Sequence, residues 1–555
     1  MGVMPTRFVG LRTCGVFVAC LGLFVRCPEP AAVGAAATES TIDDMAAEPP
    51  EKPTVASAVD DEPCPAAADE AVEERPAEPG AAEGIDGRPH EDERSESERP
   101  AVGQPATAAV PPVVIPVRVR LRLDVAGELF APAGADVPPV RIPIAAEARF
   151  DFFEQPAAAP VPLGTVLRRY TDATADLSID GRPSRQVLDP DAREVLVALR
   201  GTTPSPYLEN GFLTRPETDL LDTPFDPLLV DRLRPAAAVR VGDAWEVAPD
   251  AVAGLLAIDT VESGAVRARL TEWADGVATI TVEGTVDGAA DGAPTHVAVD
   301  GTCTIPLSED PALVEVALDG AVAGVTMTIH ERRQASHVAP GFEVEARIAM
   351  SRGSEPAPAA STPPAAGDSR PARRAGVGRP GVVWHCEARG RYDLVHAAGW
   401  RVVEEGDAGL VLRLVDHGAL AAQCSITALP PGGSAPPTIA DVQRDVERSL
   451  AGQFGRFEHA SEATRTDGVR IVRVATAGTA ERTPFRWIHY VLTDEAGHRV
   501  AATFMHEIAV AGRFGSADRE LIDGLTLPGA GVIEDGPAPA AVEREARLPR
   551  ESLTP

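Results

Sequence analysis

The chain has 555 residues, a net charge of −32 and 44% hydrophobic residues but only 4% aromatics, so any core must rest on Val, Leu, Ile and Ala. Such acidity repels nucleic-acid phosphates and anionic lipid alike, which sets both aside as electrostatic partners. Lys52 is the single lysine. The folded part therefore offers no P-loop, Schiff-base or Ser-x-x-Lys lysine, and the chemistries that need one are disfavoured. Arginine abounds together with Ala, Gly and Pro, which reads as genomic base composition and not as nucleic-acid binding.

Arg7 and Arg12 precede an apolar run, Cys14 to Val25, and the small residues AAVGAAA follow. This is the order of a secretory signal, with cleavage expected after Ala35 or Ala37, so residues 1–37 are assigned to it. The run is shorter than the roughly 20 residues a membrane span needs, and no stable span is expected after cleavage. Apolar sequence continues past Cys20 and Arg26 precedes Cys27, which argues against lipidation. The expected compartment is the periplasm, cell envelope or exterior.

Residues 38–112 carry 20 acidic against 5 basic side chains, and Pro and Ala fill most of the rest. That composition cannot bury enough apolar area to offset its ordering entropy, so a long disordered acidic segment is expected. A Pro/Ala/Ser/Arg linker at 353–380 and a similar tail at 529–555 leave two folded units, 113–352 and 381–528. The linker's composition predicts few contacts between them.

The first unit opens on clean alternation, Val117, Val119, Leu121, Leu123 and Val125 against Arg118, Arg120, Arg122 and Asp124. A second run, Ile142 to Phe152, sets Glu147, Arg149 and Asp151 on its polar side, so the arginine stripe is expected to pair across strands instead of holding an anion. Asp-Gly pairs at 180–181, 275–276, 287–288, 300–301 and 319–320 predict hairpin turns. Further strands are expected at 278–282, 297–299, 314–318 and 342–348. Two short helices, Pro227 to Leu233 and Asp250 to Leu256, complete a curved antiparallel sheet with helices on one face.

The second unit reads as strand RYDLVHAAGWRVVEE, strands GLVLRLVDHG and ALAAQCSITAL, and a capped helix from Thr438 carrying Ile439, Val442, Val446 and Leu450 on one face. Strands GVRIVRVATAG, FRWIHYVLTD and RVAATFMHEIAV and a closing helix follow. Trp400, Trp487 and Tyr490 are core candidates, and Trp400 is expected to touch Val442, Val446 or Leu450.

Two resemblances follow. At VRVGDAWEV (239–247), LLAID and DGVATITVEGTVDGAADGAPT, the first unit resembles uncharacterised exported proteins of planctomycete bacteria, a likeness that extends to both units and implies no activity. With Gly399-Trp400, the Gly497 hairpin and the ADRELI helix from Ala517, the second unit resembles the PsbP/DcrB-like α+β fold, an antiparallel sheet plus helices. That resemblance implies a binding or assembly module with no catalytic residues to carry over. The fold class expected for the whole is α+β and β-rich.

The chemical motifs are weak. Gly376-Val377-Gly378-Arg379-Pro380-Gly381 matches GxGxxG but sits in the expected linker with no strand before it, so no dinucleotide site is expected. His506-Glu507 opens an HExxH without its second histidine and reads as the polar face of a strand. His330, Glu331 and His337 lack zinc spacing. His385 and Cys386, adjacent on a strand, face opposite ways and form no dyad. No GxSxG occurs. Cys386 and Cys424 could bridge in an oxidising compartment or stay buried thiols. No catalytic, metal or cofactor residue is assigned. The expectation is a non-enzymatic envelope protein that binds a protein partner or an apolar ligand, with a hydrolase built on scattered Asp, Glu and His as the alternative.

Overall fold

The computed structural model describes residues 116–131, 138–158, 161–162, 164–307, 317–318, 320–336, 338–355, 374–416, 419–430, 436–528 and 544–545. The expected signal, the acidic segment, most of the linker and nearly all of the tail lie outside the described residues.

The first lobe is a single antiparallel sheet. Its strands are β1 (Val117–Ala131), β2 (Val140–Pro156), β3 (Val166–Ile179), β4 (Arg182–Val187), β5 (Glu194–Arg200), β6 (Thr203–Tyr207), β7 (Ala244–Glu246), β8 (Thr260–Ala274), β9 (Val277–Ala290), β10 (Ala293–Pro306), β11 (Gly324–Arg333) and β12 (Gly341–Ser354). The order is β6-β5-β3-β2-β1-β12-β11-β10-β9-β8-β7, with β4 paired on β3. Two meanders thus meet where β1 pairs β12, from Val117 opposite Ser354 to Phe130 opposite Gly341.

Two short helices, α1 (Arg215–Leu221) and α2 (Pro227–Val230), connect the meanders, and a third, α3 (Pro249–Leu256), joins β7 to β8. Leu220, Leu229 and Leu255 share one buried core with Val119, Leu121, Phe150, Val282 and Ile348. The helices at 227 and 249 match the sequence pattern. Helix α1 does not appear in it, although Thr214 and Glu217 form a full capping box with Pro216 in the first turn.

On the other face Arg118 holds Asp151 through two bonds of 2.9 and 2.7 Å, and Arg122 meets Glu147 at 3.1 Å. The arginine stripe is spent on carboxylates, across strands at Asp151 and Glu147 and on its own strand at Asp124. A different arginine ties sheet to helix. Buried Arg168 bonds Glu154 at 2.9 Å and Asp226 at 2.8 and 2.7 Å, and Asp226 also caps α2 through the Leu228 N–H at 2.9 Å.

Turn chemistry needs correction. Asp180-Gly181 and Asp275-Gly276 do close hairpins with positive φ at both residues. Asp287-Gly288 and Asp300-Gly301 instead lie inside β9 and β10. There glycine answers a close backbone approach, since a Cβ on Gly288 would strike the Thr260 carbonyl and one on Gly301 the Thr326 carbonyl. The β9–β10 turn is Asp291-Gly292, at φ 48° and 75°. Asp319 lies outside the described residues.

The second lobe contains β13 (Val382–Cys386), β14 (Asp393–Ala397), β15 (Trp400–Gly406), β16 (Gly409–Asp416), β17 (Ala419–Leu429), α4 (Ile439–Leu450), β18 (Phe454–Thr464), β19 (Arg470–Ala480), β20 (Thr483–Thr493), β21 (Arg499–Glu507), α5 (Ala511–Phe514), α6 (Ala517–Asp523), β22 (Leu525–Thr526) and β23 (Arg544–Glu545). One sheet runs β15-β16-β17-β21-β20-β19-β18-β23 and a small one β13-β14-β22. The single strand expected across RYDLVHAAGWRVVEE breaks at Ala398-Gly399, and its halves join different sheets.

Strand alternation puts the two helical layers on opposite faces of the large sheet. Val472 and Val474 point to α4, where Val442 and Val446 bury them. Ala475, Ile488, Tyr490 and Phe504 form the other core with Phe514, Leu521 and Ile522 from α5 and α6. Trp400 is 2% exposed, as expected of a core residue, but it belongs to the second core and meets Phe504 edge-on at 5.9 Å. Its expected contacts with Val442, Val446 and Leu450 are therefore wrong, because α4 covers the opposite face. Trp400→Ala removes a ring that Phe504 cannot replace, and a loss of about 3–5 kcal/mol is expected. A lowered thermal midpoint checks this, and Val442→Ala should not compound it beyond simple addition, since the sheet separates the two sites.

Candidate functional site

Four neighbouring strands of the second lobe and the α5–α6 segment enclose a cleft of ≈ 250 Å³. Glu458 and His459 come from β18, Arg473 from β19, Arg486 from β20, His506 from β21, and Phe514 and Asp518 from α5 and α6. Consecutive residues of a regular strand face opposite ways, so Glu458 and His459 could not both line it. The β18–β19 register shifts between Phe457 and His459. This bulge re-aims the strand and admits both side chains.

The charges are paired. Arg486 donates to Glu458 at 2.7 Å. Arg473 donates to Asp518 at 3.0 Å and to the Tyr490 hydroxyl at 2.8 Å, and that hydroxyl donates to Asp518 at 2.7 Å. Burial and the Asp518 charge push the Tyr490 phenol well above its usual range, so it stays a donor.

His506 alternates with Ala502 and Phe504 on the buried face of β21, not on the polar face its neighbour Glu507 suggested. Its Nδ1 lies 2.8 Å from the Glu507 carbonyl, which can only accept, so Nδ1 carries the proton and Nε2 a bare lone pair. The ring stacks on Phe514 at 4.6 Å. Burial, with the nearby Arg486, holds the imidazole below its usual value, hence neutral. His506 is 3% exposed and its Nε2 has no hydrogen-bond partner.

The other sequence candidates do not join this site. Cys386 lies on β13 and Cys424 on β17, in different sheets, and both are free thiols, so the bridge is not formed. Burial raises both thiols, to about 11 for Cys386 and further for Cys424, which leaves them protonated and poorly nucleophilic. No group of His, Cys, Asp and Glu among the described residues has metal-holding geometry. Trp487 and Tyr490 are buried, as core candidates should be.

The GxGxxG glycines serve packing. Residues 374–386 run along 208–214, where the Gly211 N–H reaches Gly376 O at 2.6 Å, the Gly378 N–H reaches Glu209 O at 3.3 Å and the Trp384 N–H reaches Leu213 O at 2.8 Å. A Cβ on Gly378 would strike the Leu208 carbonyl, and one on Gly381 the Arg200 guanidinium. Backbone bonds as well as covalent chain therefore join the lobes.

No family model and no curated protein matches the chain. Solved structures are similar over parts of it. PsbP from Synechocystis sp. PCC 6803 is 13% identical and covers 26% of this chain and 92% of its own, with a TM-score of 0.23. A lipovitellin structure is 12% identical over 44% of this chain and 26% of its own, TM-score 0.22. DynF from Micromonospora chersina is 10% identical over 44% of this chain and 86% of its own, TM-score 0.12.

Gly378→Ala forces the two backbones apart at Leu208 and should cost about 1–3 kcal/mol. The expected signature is proteolytic cutting within 374–386 at a temperature where the wild type resists, with the cores of both lobes still protected. Unchanged resistance would show that the backbone contact can slide at no cost.

Proposed function

We propose that the chain is an exported, non-enzymatic binding protein of the cell envelope, and that the cleft beside His506 receives a small polar ligand. One observation carries this reading: a neutral imidazole acceptor, buried and unpartnered, in the wall of a cleft whose charges are otherwise paired. An unmade hydrogen bond to a buried acceptor costs about 1–3 kcal/mol, which a ligand donor restores on binding. The expected apolar ligand has less support. The helices of the first lobe already cover the apolar face of their sheet, and the cleft of the second lobe is mostly polar. The balanced charges, two arginines against Glu458 and Asp518, suit a neutral or zwitterionic molecule of roughly sugar or amino-acid size.

The hydrolase alternative draws on the same imidazole. With Nδ1 fixed by a carbonyl, Nε2 is the basic nitrogen and could draw a proton from water. Binding is preferred because no Ser, Thr or Cys lines the cleft, and because both carboxylates are engaged by arginines.

The test is calorimetric titration of the full chain with neutral sugars, amino acids and hydroxy acids, beside a His506→Leu variant. A ligand that binds the wild type and loses about tenfold or more in the variant, the worth of one hydrogen bond, is expected. Equal binding to both proteins would remove the cleft from consideration. Product formation on overnight incubation, read by mass spectrometry, would move the assignment to the hydrolase.

A further inference from the structure

The Nε2 of His506 is closed to solvent as well as unpartnered. A ligand cannot meet that lone pair while every wall of the cleft stays in place, so one wall has to give. The strands resist. Arg473, Arg486 and His506 stand on β19, β20 and β21, whose pairing runs without a break of register. Moving any of them breaks ladder hydrogen bonds on both sides.

The wall opposite is the segment from Glu507 to Ser516, and it is built differently. A 3-10 turn, Ile508–Val510, leads into the single turn of α5, and neither begins with a side-chain cap. Phe514 is the one buried residue of the segment, while Glu507 to Ala509, Gly512, Arg513, Gly515 and Ser516 are exposed. The Phe514 ring is thus the anchor. It stacks on His506 at 4.6 Å and reaches Phe504 at 6.1 Å, and α5 packs against β17 and β21.

The segment ends on a glycine. Gly515 has φ 53° and ψ −117° and Ser516 has φ −102° and ψ 12°, the angles of a type II′ turn. Only glycine takes the first central position of such a turn without strain. No atom beyond its chain neighbours stands near where a Cβ would lie, so this glycine serves the path of the chain and not its packing.

We propose that Ile508–Phe514 is the lid of the His506 cleft, hinged at Gly515 and latched by the Phe514 ring. Ligand reaches Nε2 only when the ring is withdrawn from the imidazole. Closed again over a bound molecule, the lid keeps water from the new hydrogen bond, which strengthens it. The lid deepens the reading of the cleft as a binding site and rests on it, but its motion can be measured without a ligand.

The experiment is diethyl pyrocarbonate labelling of the full chain at pH 7, with the His506 peptide followed by mass spectrometry. A neutral imidazole nitrogen takes one ethoxycarbonyl group from the reagent. The ethyl carbonate that leaves carries off the displaced proton and falls to ethanol and carbon dioxide. His296 on β10, half-exposed, gives the unhindered rate in the same sample.

Wild-type His506 should label more slowly than His296. Gly515→Ala strains the shut lid without touching the core, and should speed His506 about tenfold with His296 unchanged. Phe514→Ala removes the latch and should speed it as well. Ile522→Val takes one methyl group from the same core but lies off the lid, and should leave the ratio of the two rates at its wild-type value. Equal rates at His506 and His296 in the wild type would show the cleft already open and overturn the lid. So would an unchanged His506 in Gly515→Ala, since a gain in Phe514→Ala alone makes the ring a fixed cover. An equal gain in Ile522→Val would mark general loosening and overturn it too. Faster labelling in both lid variants, with no compound bound in calorimetry, would keep the lid and remove the binding reading. A ligand lost in His506→Leu, with labelling unchanged in the lid variants, would do the reverse.

Discussion

The first lobe depends on one pairing, β1 with β12. These strands lie more than 200 residues apart in sequence, yet they form the seam along which the two meanders become one sheet. Every other strand pair in the lobe can form from sequence neighbours or near neighbours. The seam cannot, and closing it carries the loop entropy of everything between. Its compensation is visible in the register. Leu121, Leu123 and Val125 lie opposite Met350, Ile348 and Ala346, so an apolar stripe crosses the seam. Gly127 lets the strands approach where a Cβ would strike the Glu343 carbonyl.

The seam also fixes where the helices go. Because α1 and α2 sit in the chain between the meanders and α3 just after β7, they are carried across the face of the closed sheet and bury its apolar side. The Arg168 network then fastens that layer at one point, since Asp226 caps α2 and accepts both guanidinium bonds. Such a buried triad contributes specificity of placement more than net stability, because three desolvated charges must be offset by their own bonds. Helix α1 has a further consequence. Its first turn, from Thr214, lies beside Trp384, which brings Arg215 to the second lobe.

Much of this was legible where a local pattern had one physical meaning. Two-residue periodicity placed the strands at 117 and 142, apolar spacing of three and four placed α4, and the arginine stripe foretold its carboxylate partners. Legibility failed where one sequence feature serves two physical ends. Asp-Gly marks a turn at 275 and 291 but a close backbone approach at 288 and 301. The glycines at 376, 378 and 381 read as linker and prove to pack against the 208–214 backbone. Trp400 was rightly assigned to a core but to the wrong one, because a sheet has two faces and periodicity does not say which helix covers which. The cleft was least legible. Its lining comes from four strands and two helices, and the step that assembles it is a one-residue bulge at Glu458 that periodicity does not record.

The buried histidines set a limit on how this protein responds to acid. His396 and His489 are held down at about 4 by burial, and His385 and His506 are lowered as well. Each therefore binds a proton less readily folded than unfolded, and each withdraws stability as pH falls below about 6.5. Asp219 and Asp222 act in the reverse sense from neutrality downward. The two sets meet near pH 6.5, where Asp222, raised by burial to about 7, has gained most of its proton, Asp219, raised to about 6, has only begun to gain its own, and the histidines have begun to resist theirs. Burial acts on both sets at once, since the same desolvation that raises a carboxyl lowers an imidazole. The uncharged state of both is what a dry interior selects. In the cleft that selection leaves His506 with a lone pair facing no donor, so the desolvation that costs the fold a hydrogen bond is also what readies the site to accept one.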